Sequence, residues 1–170
     1  VSNVNSQVGD IVNPTGDQTG KEVPGGGGGS AGVAHATMLG GANAVTVNSG
    51  TTHKVSWLGA VLDVDSWFSA GSPTKITVDR DGVFLIQATV TADVVSGTGT
   101  ATVEVLVNGS FVIDNYGTAE DTRGSGFPFN QTVSQATRLA IGDYIEIQVQ
   151  ATTSNIDFSG INFFVAFIGT

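Results

Sequence analysis

Residues 161–168 read INFFVAFI, and both sides of the strand they would form are apolar. Successive side chains of a strand alternate between its faces. Ile161, Phe163, Val165 and Phe167 therefore share one side, while Phe164, Ala166 and Ile168 share the other with Asn162. A two-layer sandwich gives each strand only one inner face, so the second apolar face requires a further cover. The simplest cover is another copy of the same subunit, and the alternative is a loop of the same chain. The pattern predicts self-association, with Ile161, Phe163, Phe164, Val165 and Phe167 as the candidate interface.

Outward from this stretch, runs rich in Val, Ile, Thr and Phe alternate with clusters of Gly, Asn, Asp and Ser, and no amphipathic helical period lasts three turns. Strands are predicted at 33–39, 53–58, 74–78, 82–95, 100–108, 110–116, 131–140, 143–151 and 160–169, with tight turns at DRDG, VNGS and AIGDY. In TATVEVLV, residues 100–107, Ala101, Val103, Val105 and Val107 face one way, while Thr102 and Glu104 face the other. That strand has one wet side. The fold class is all-β, a two-sheet sandwich of the jelly-roll kind. No repeat of 20 to 50 residues points to a solenoid or propeller.

The opposite end of the chain is of another character. Residues 1–24 scatter Val and Ile among Asn, Gly and Pro with no sustained period, which predicts an extended N-terminal arm. Residues 25–32 form a Gly-rich hinge containing five consecutive glycines, and residues 33–170 form the jelly-roll domain. The arm carries no aromatic, and its Val4, Val8, Ile11, Val12 and Val23 are candidate apolar anchors for a larger assembly.

Composition limits the partners. Net charge is −9, and the six basic residues, Lys21, Lys54, Lys75, Arg80, Arg123 and Arg138, form no run, which argues against nucleic acid and against an acidic membrane surface. The longest apolar run, Phe163 to Ile168, is too short to span a bilayer. No signal-like segment stands near Val1, a start that fits loss of an initiator Met as well as proteolytic maturation. The sequence as written is expected to be soluble. There is no cysteine, so disulfides and thiolate metal sites are excluded.

The residues that could carry chemistry read as structural. His35 and His53 lie in different predicted strands with no carboxylate at metal-ligand spacing. Asp63 and Asp65, and Asp79 and Asp81, offer oxygen ligands to calcium but lack the spacing of a calcium loop, and paired Asp around Gly is turn chemistry. No nucleophile elbow, phosphate-binding loop or closely spaced Glu pair is present, so no enzymatic activity and no cofactor are expected. NGS at 108–110 and NQT at 130–132 match glycosylation acceptors and are read as turns. Trp57, Trp67 and Phe68 flank DVDS and could form a sugar platform, although packing is the commoner use of such residues. Residues 117–130, with Arg123, Phe127 and Phe129, are the longest polar connection and the candidate contact loop.

Taken together, ITVDRDGVFLIQATVT, VEVLVNGS, SQATRLAIGDYIEIQVQ and NIDFSGINFFVAFIG resemble the complement globular-head and tumour-necrosis-factor-like (TNF-like) jelly-roll superfamily, in the form found in structural proteins of tailed bacteriophages. The matching positions are Gly82, Phe84 and Ile86, then Asn108 and Gly109, then Leu139, Gly142 and Asp143, and finally Phe158, Phe163 and Phe164. The resemblance covers roughly residues 34–169, and residues 1–30 lie outside it. The resemblance implies a ten-strand jelly roll and a homotrimer about a threefold axis, used as a scaffold for binding and assembly.

On this reading the chain is expected to be a virion protein at the capsid surface. It would be a trimeric capsid decoration protein whose partner is the major capsid protein or another virion protein, attached through the arm. Thirty extended residues span on the order of 100 Å, enough to reach neighbouring coat subunits. The alternative is a tail-fibre or receptor-binding head that recognises a host carbohydrate. A secreted complement-like lectin is a third reading, and neither a signal peptide nor collagen repeats favour it.

Overall fold

The computed structural model describes residues 35–111 and 118–170. The arm, the hinge and the five anchors Val4, Val8, Ile11, Val12 and Val23 lie outside the described residues. Among the described residues every regular element is a strand: β1 Ala36–Ala42, β2 Val45–Val47, β3 Thr51–Lys54, β4 Trp57–Asp63, β5 Lys75–Thr77, β6 Gly82–Val94, β7 Thr98–Val107, β8 Ser110–Phe111, β9 Thr118–Gly124, β10 Phe129–Leu139, β11 Tyr144–Thr152 and β12 Ile156–Gly169.

They form two antiparallel sheets. The first has the order β10-β6-β12-β1-β4, with β2 also on β12, and the second has the order β3-β11-β7-β8, with β5 on β11 and β9 on β7. Alternation along the long strands builds the core between them. From the first sheet come Phe84, Ile86, Ala88, Val90 and Ala92 of β6 and Phe163 and Val165 of β12; from the second come Ala101, Val103 and Val105 of β7 and Ile145, Ile147, Val149 and Ala151 of β11. Each large side chain so enclosed contributes about 1.5–3 kcal/mol relative to exposure. Gln131, inward-facing on β10, donates from Nε2 to the Ala101 carbonyl oxygen at 2.9 Å and so ties the two sheets together.

Three expectations change. The predicted strand at 53–58 is two strands, because the chain crosses between sheets there: Val55 N–H donates to the Ile147 carbonyl, and Trp57 N–H donates to that of Pro73. The supposed connection at 117–130 contains a seven-residue strand, β9, paired with β7 from Thr98↔Gly124 to Glu104↔Thr118. As a lateral strand bonded to one neighbour it carries charge and threonine where an inner strand would carry valine, and its sequence therefore reads as a loop. Finally, β12 begins at Ile156, four residues before the predicted start, and is irregular between Gly160 and Asn162. Glycine is required there, because a Cβ at 160 would lie 2.6 Å from that of Ala42 and 2.7 Å from the Trp57 ring. Of the predicted strand at 110–116, Ser110 and Phe111 form β8, and the remainder lies outside the described residues.

Candidate interaction surface

The alternation that fills the core also determines what the first sheet presents outward. The register aligns Leu85, Ala166 and Ala36 in one row and Gln87, Phe164, Met38 and Leu62 in the next. The row beyond holds Thr132, Thr89, Asn162 and Gly40. The face is graded. Toward β10 it is polar, with Thr89 and Thr132 hydroxyls 3.0 Å apart and Thr91 donating to Asn130 at 2.8 Å. Toward β12, β1 and β4 it is apolar, and Leu62, Ile161 and Ile168 are exposed large hydrophobics there.

Predicted interface residues divide by parity. Phe163 and Val165 are wholly enclosed by their own chain; the Phe163 ring lies 5.4 Å from that of Trp57. Phe167 packs its ring edge-on against Phe84 at 5.5 Å. These three therefore serve the protomer core and are withdrawn from the interface set. Phe164 stays outward by alternation, and Ile161 is exposed because it falls in the irregularity between Gly160 and Asn162. The same alternation that singled out this strand leaves its inner and outer sides indistinguishable in sequence, since both are apolar.

One end of the face is acidic. Asp93 and Asp157 stand directly opposite each other on β6 and β12, a like-charge pairing that is unfavourable in itself. Asp157 accepts from the Thr46 hydroxyl at 2.5 Å, whereas one buried oxygen of Asp93 has no partner.

At the opposite end a charged clasp closes the sandwich. The Arg80 guanidinium bonds both oxygens of Asp79, at 2.7 and 3.0 Å, and reaches Asp65 at 3.2 Å. It also lies 5.8 Å from the ring centroids of Trp67 and Phe167. The hydrogen bond from Arg80 is the main reason the Asp79 carboxyl is held down at about 2, assisted by Trp67 Nε1 at 2.9 Å and opposed by desolvation. Reciprocally, the Asp79 carboxylate raises the Arg80 guanidinium. His35 Nδ1 lies 2.8 Å from Asp65, a pairing across thirty positions that sequence spacing did not reveal.

The remaining candidates resolve into structure. Asp63 accepts from the Thr37 hydroxyl at 2.6 Å and from the Trp67 and Phe68 amides at 2.9 and 3.2 Å, and Asp81 accepts from the Ile141 amide at 2.7 Å. Their lone pairs organise turns, and among the described residues no group of three or more His, Cys, Asp or Glu side chains is placed to hold a metal ion. Trp57 and Trp67 are buried, so they pack the core and offer no sugar platform. His53 is exposed on β3, opposite Val149 of β11. The NG turn is anchored from both sides: Asn108 donates to Asp143 at 2.7 Å and accepts from the Tyr144 amide at 3.1 Å. That donation and one from the Ala140 amide depress the Asp143 carboxyl. In the contact segment, Arg123 pairs with Asp121 at 2.9 Å and lies 5.8 Å from the Phe129 ring centroid; Phe127, at the turn, is 71% exposed.

No family model and no curated protein matches the sequence. Solved structures do match the fold. A murine APRIL crystal structure at pH 5.0 is 16% identical, covering 79% of this chain and 99% of that one, with a TM-score of 0.58. The globular domain of zebrafish complement 1qA protein is 12% identical, covering 79% and 97%, with a TM-score of 0.51. Eiger TNF from S. frugiperda is 16% identical, covering 80% and 93%, with a TM-score of 0.50. The chain thus has the TNF-like jelly-roll fold shared by TNF and complement globular-head domains.

Proposed function

We propose that the chain is a non-catalytic assembly protein of a virion: a capsid decoration protein that forms a homotrimer through the outer face of its first sheet and is anchored to the capsid lattice by residues 1–24. The observation that carries the self-association is the apolar half of that face, where Leu85, Ala166, Phe164, Met38 and Leu62 adjoin across neighbouring strands. A contiguous outward patch of this kind marks a contact site. Attachment through the arm is supported by its composition: Val and Ile anchors on a segment with no aromatic, joined to the domain by five glycines. An extended segment can add backbone hydrogen bonds to a partner sheet. Three arms on one trimer bind with avidity, so weak single contacts sum to firm attachment.

The receptor-binding alternative is favoured by Phe127, an aromatic exposed at a Gly-Ser turn. Copy number in purified particles separates the readings. Hundreds of copies spread over the shell are expected for decoration, a few copies at a vertex or tail tip would support a receptor-binding head, and absence from the particle would overturn both.

A further inference from the structure

We propose that Asn108 is a latent site of covalent modification: a deamidation site that the fold keeps shut by clamping its carboxamide onto Asp143, and that opens when the clamp is lost. Asn108–Gly109 is the one Asn-Gly step in the chain, and it is exposed to water. With no Cβ on the following residue, the Gly109 backbone nitrogen can approach the asparagine side chain freely. In the reaction that nitrogen attacks Asn108 Cγ. The N–Cγ bond forms, the Cγ–Nδ2 bond breaks, and Nδ2 leaves as ammonia with the proton that the Gly109 nitrogen gives up. Water then adds to either carbonyl carbon of the five-membered imide and leaves aspartate or isoaspartate at position 108.

The folded turn opposes each part of this step. Asn108 and Gly109 are the central residues of the hairpin between β7 and β8, flanked by the pair Val107↔Ser110, with φ of +53° and +76°. Positive φ at both positions is the type I′ turn. The imide ring would hold Cβ, Cα and the carbonyl carbon of Asn108 in one plane with the Gly109 nitrogen, whereas the left-handed conformation turns that nitrogen well away from Cβ. Ring closure therefore requires the turn to open. Three bonds hold it closed: Asn108 Nδ2 donates to Asp143 Oδ1 at 2.7 Å, Asn108 Oδ1 accepts from the Tyr144 amide at 3.1 Å, and the Asn108 amide donates to the Tyr144 carbonyl at 2.9 Å. Both ends of the carboxamide are thus held. Charge adds to geometry, because attack places negative charge on the carboxamide oxygen, beside a carboxylate that its bonds from Asn108 and the Ala140 amide keep ionised. The Tyr144 amide favours charge on that oxygen, but a neutral donor at 3.1 Å is weaker than an ionised acceptor at 2.7 Å.

The product cannot return to the clamp. Aspartate at 108 sets a second carboxylate where the Nδ2 donor stood, against Asp143 Oδ1, and like charges so placed repel. Isoaspartate routes the main chain through the side-chain methylene, one atom more than a two-residue turn between Val107 and Ser110 accommodates. Asp143 also holds the turn between β10 and β11, since its Oδ2 accepts from the Ala140 amide at 2.8 Å and its carbonyl accepts from the Val78 amide at 3.0 Å. Loss of the Asn108 bond therefore loosens two neighbouring turns, and a transient opening of the hairpin becomes a permanent mark on the chain.

The test incubates the full chain at neutral pH, folded in buffer and unfolded in guanidinium, and follows deamidation at 108 by the mass of the peptide that contains it and by its isoaspartate content. The folded wild type is expected to react about tenfold or more slowly than the unfolded chain, and folded Asp143→Ala about tenfold or more faster than the folded wild type, the weight of one charge-assisted hydrogen bond. Equal rates in folded and unfolded wild type, or a wild-type rate in folded Asp143→Ala, would overturn the proposal. Where Asp143→Ala loses its strand circular dichroism, Asp143→Asn decides: it keeps the shape of the side chain without the charge and is expected to fold and to react several-fold faster than wild type, so a wild-type rate would refute the clamp. Asn108→Asp makes one product directly and is expected to fold with a lowered melting temperature at neutral pH; melting at the wild-type temperature would refute the claim that the product is shut out of the clamp.

Discussion

Phe163 and Phe164 are adjacent in sequence and opposite in fate, and replacing each by alanine separates core from interface. The Phe163 ring is fully enclosed and contacts Trp57 at 5.4 Å between centroids. Truncation there removes the transfer energy and leaves a cavity among Leu39, Trp57 and the facing sheet, at a cost of about 3–5 kcal/mol. That is a large share of the 5–15 kcal/mol typical of a whole domain. Phe164 contributes to the outer face, in a row with Met38 and Gln87, so its loss should spare the protomer core and weaken association by about 1–2 kcal/mol or more per contact. The assay is guanidinium unfolding at two protein concentrations a hundredfold apart. For an oligomer whose association stabilises the fold, the midpoint rises with concentration. Phe163→Ala should lower the midpoint at both concentrations, while Phe164→Ala should reduce the separation between them. Equal losses from the two variants, or a midpoint independent of concentration in the wild type, would refute the division of the strand into a core side and a contact side.

Other outcomes follow from particular contacts. Gly82→Ala should cost about 1–3 kcal/mol by overpacking, read as a lowered melting temperature, because its Cβ would fall 2.5 Å from the Gly169 carbonyl oxygen and against the Phe167 ring. The depressed Asp79 carboxyl stabilises the fold above its unfolded value near 3.8, and that contribution is lost as pH falls through about 2. Asp79→Asn should therefore melt below wild type at pH 5, with the gap closing by pH 2; a gap constant across that range would deny the Arg80 pairing a role. Deletion of residues 1–24 should leave the domain folded and self-associated, yet abolish co-sedimentation with bare capsids. Equal binding by the truncated chain would shift attachment to the globular surface, with the Phe127 turn the first place to look.

How much of this was legible in the sequence depends on how many neighbours an element has. β6, β7, β10 and β11 carry long runs of alternating or β-branched residues, and their spans were readable within a few positions because a buried face imposes its period on the chain. β9 was not, since an edge strand of threonine and charge lacks that imposed pattern. β2 and β5 are three residues long, too short for any period to register. At the candidate surface, the double apolar character of INFFVAFI was plain, but which parity faces inward is decided by the facing sheet and was not. The exposed apolar residues around β4 escaped for a related reason: the bulge at Val61 breaks the alternation on which a reading of Leu58, Leu62 and Val64 would depend. His35 meeting Asp65, and Arg80 shared between Asp65 and Asp79, arise from the corner after β4 folding back on the start of β1, a tertiary event with no local signature.

The mass of the full chain in solution is the most direct test of the proposed symmetric assembly. Native mass spectrometry or sedimentation equilibrium at micromolar concentration should report three times the 17.3 kDa chain mass, with no stable species at twice that mass. A stable monomer across that range would contradict the account, because the apolar half of the first sheet, from Leu85 to Leu62, would then be left facing water.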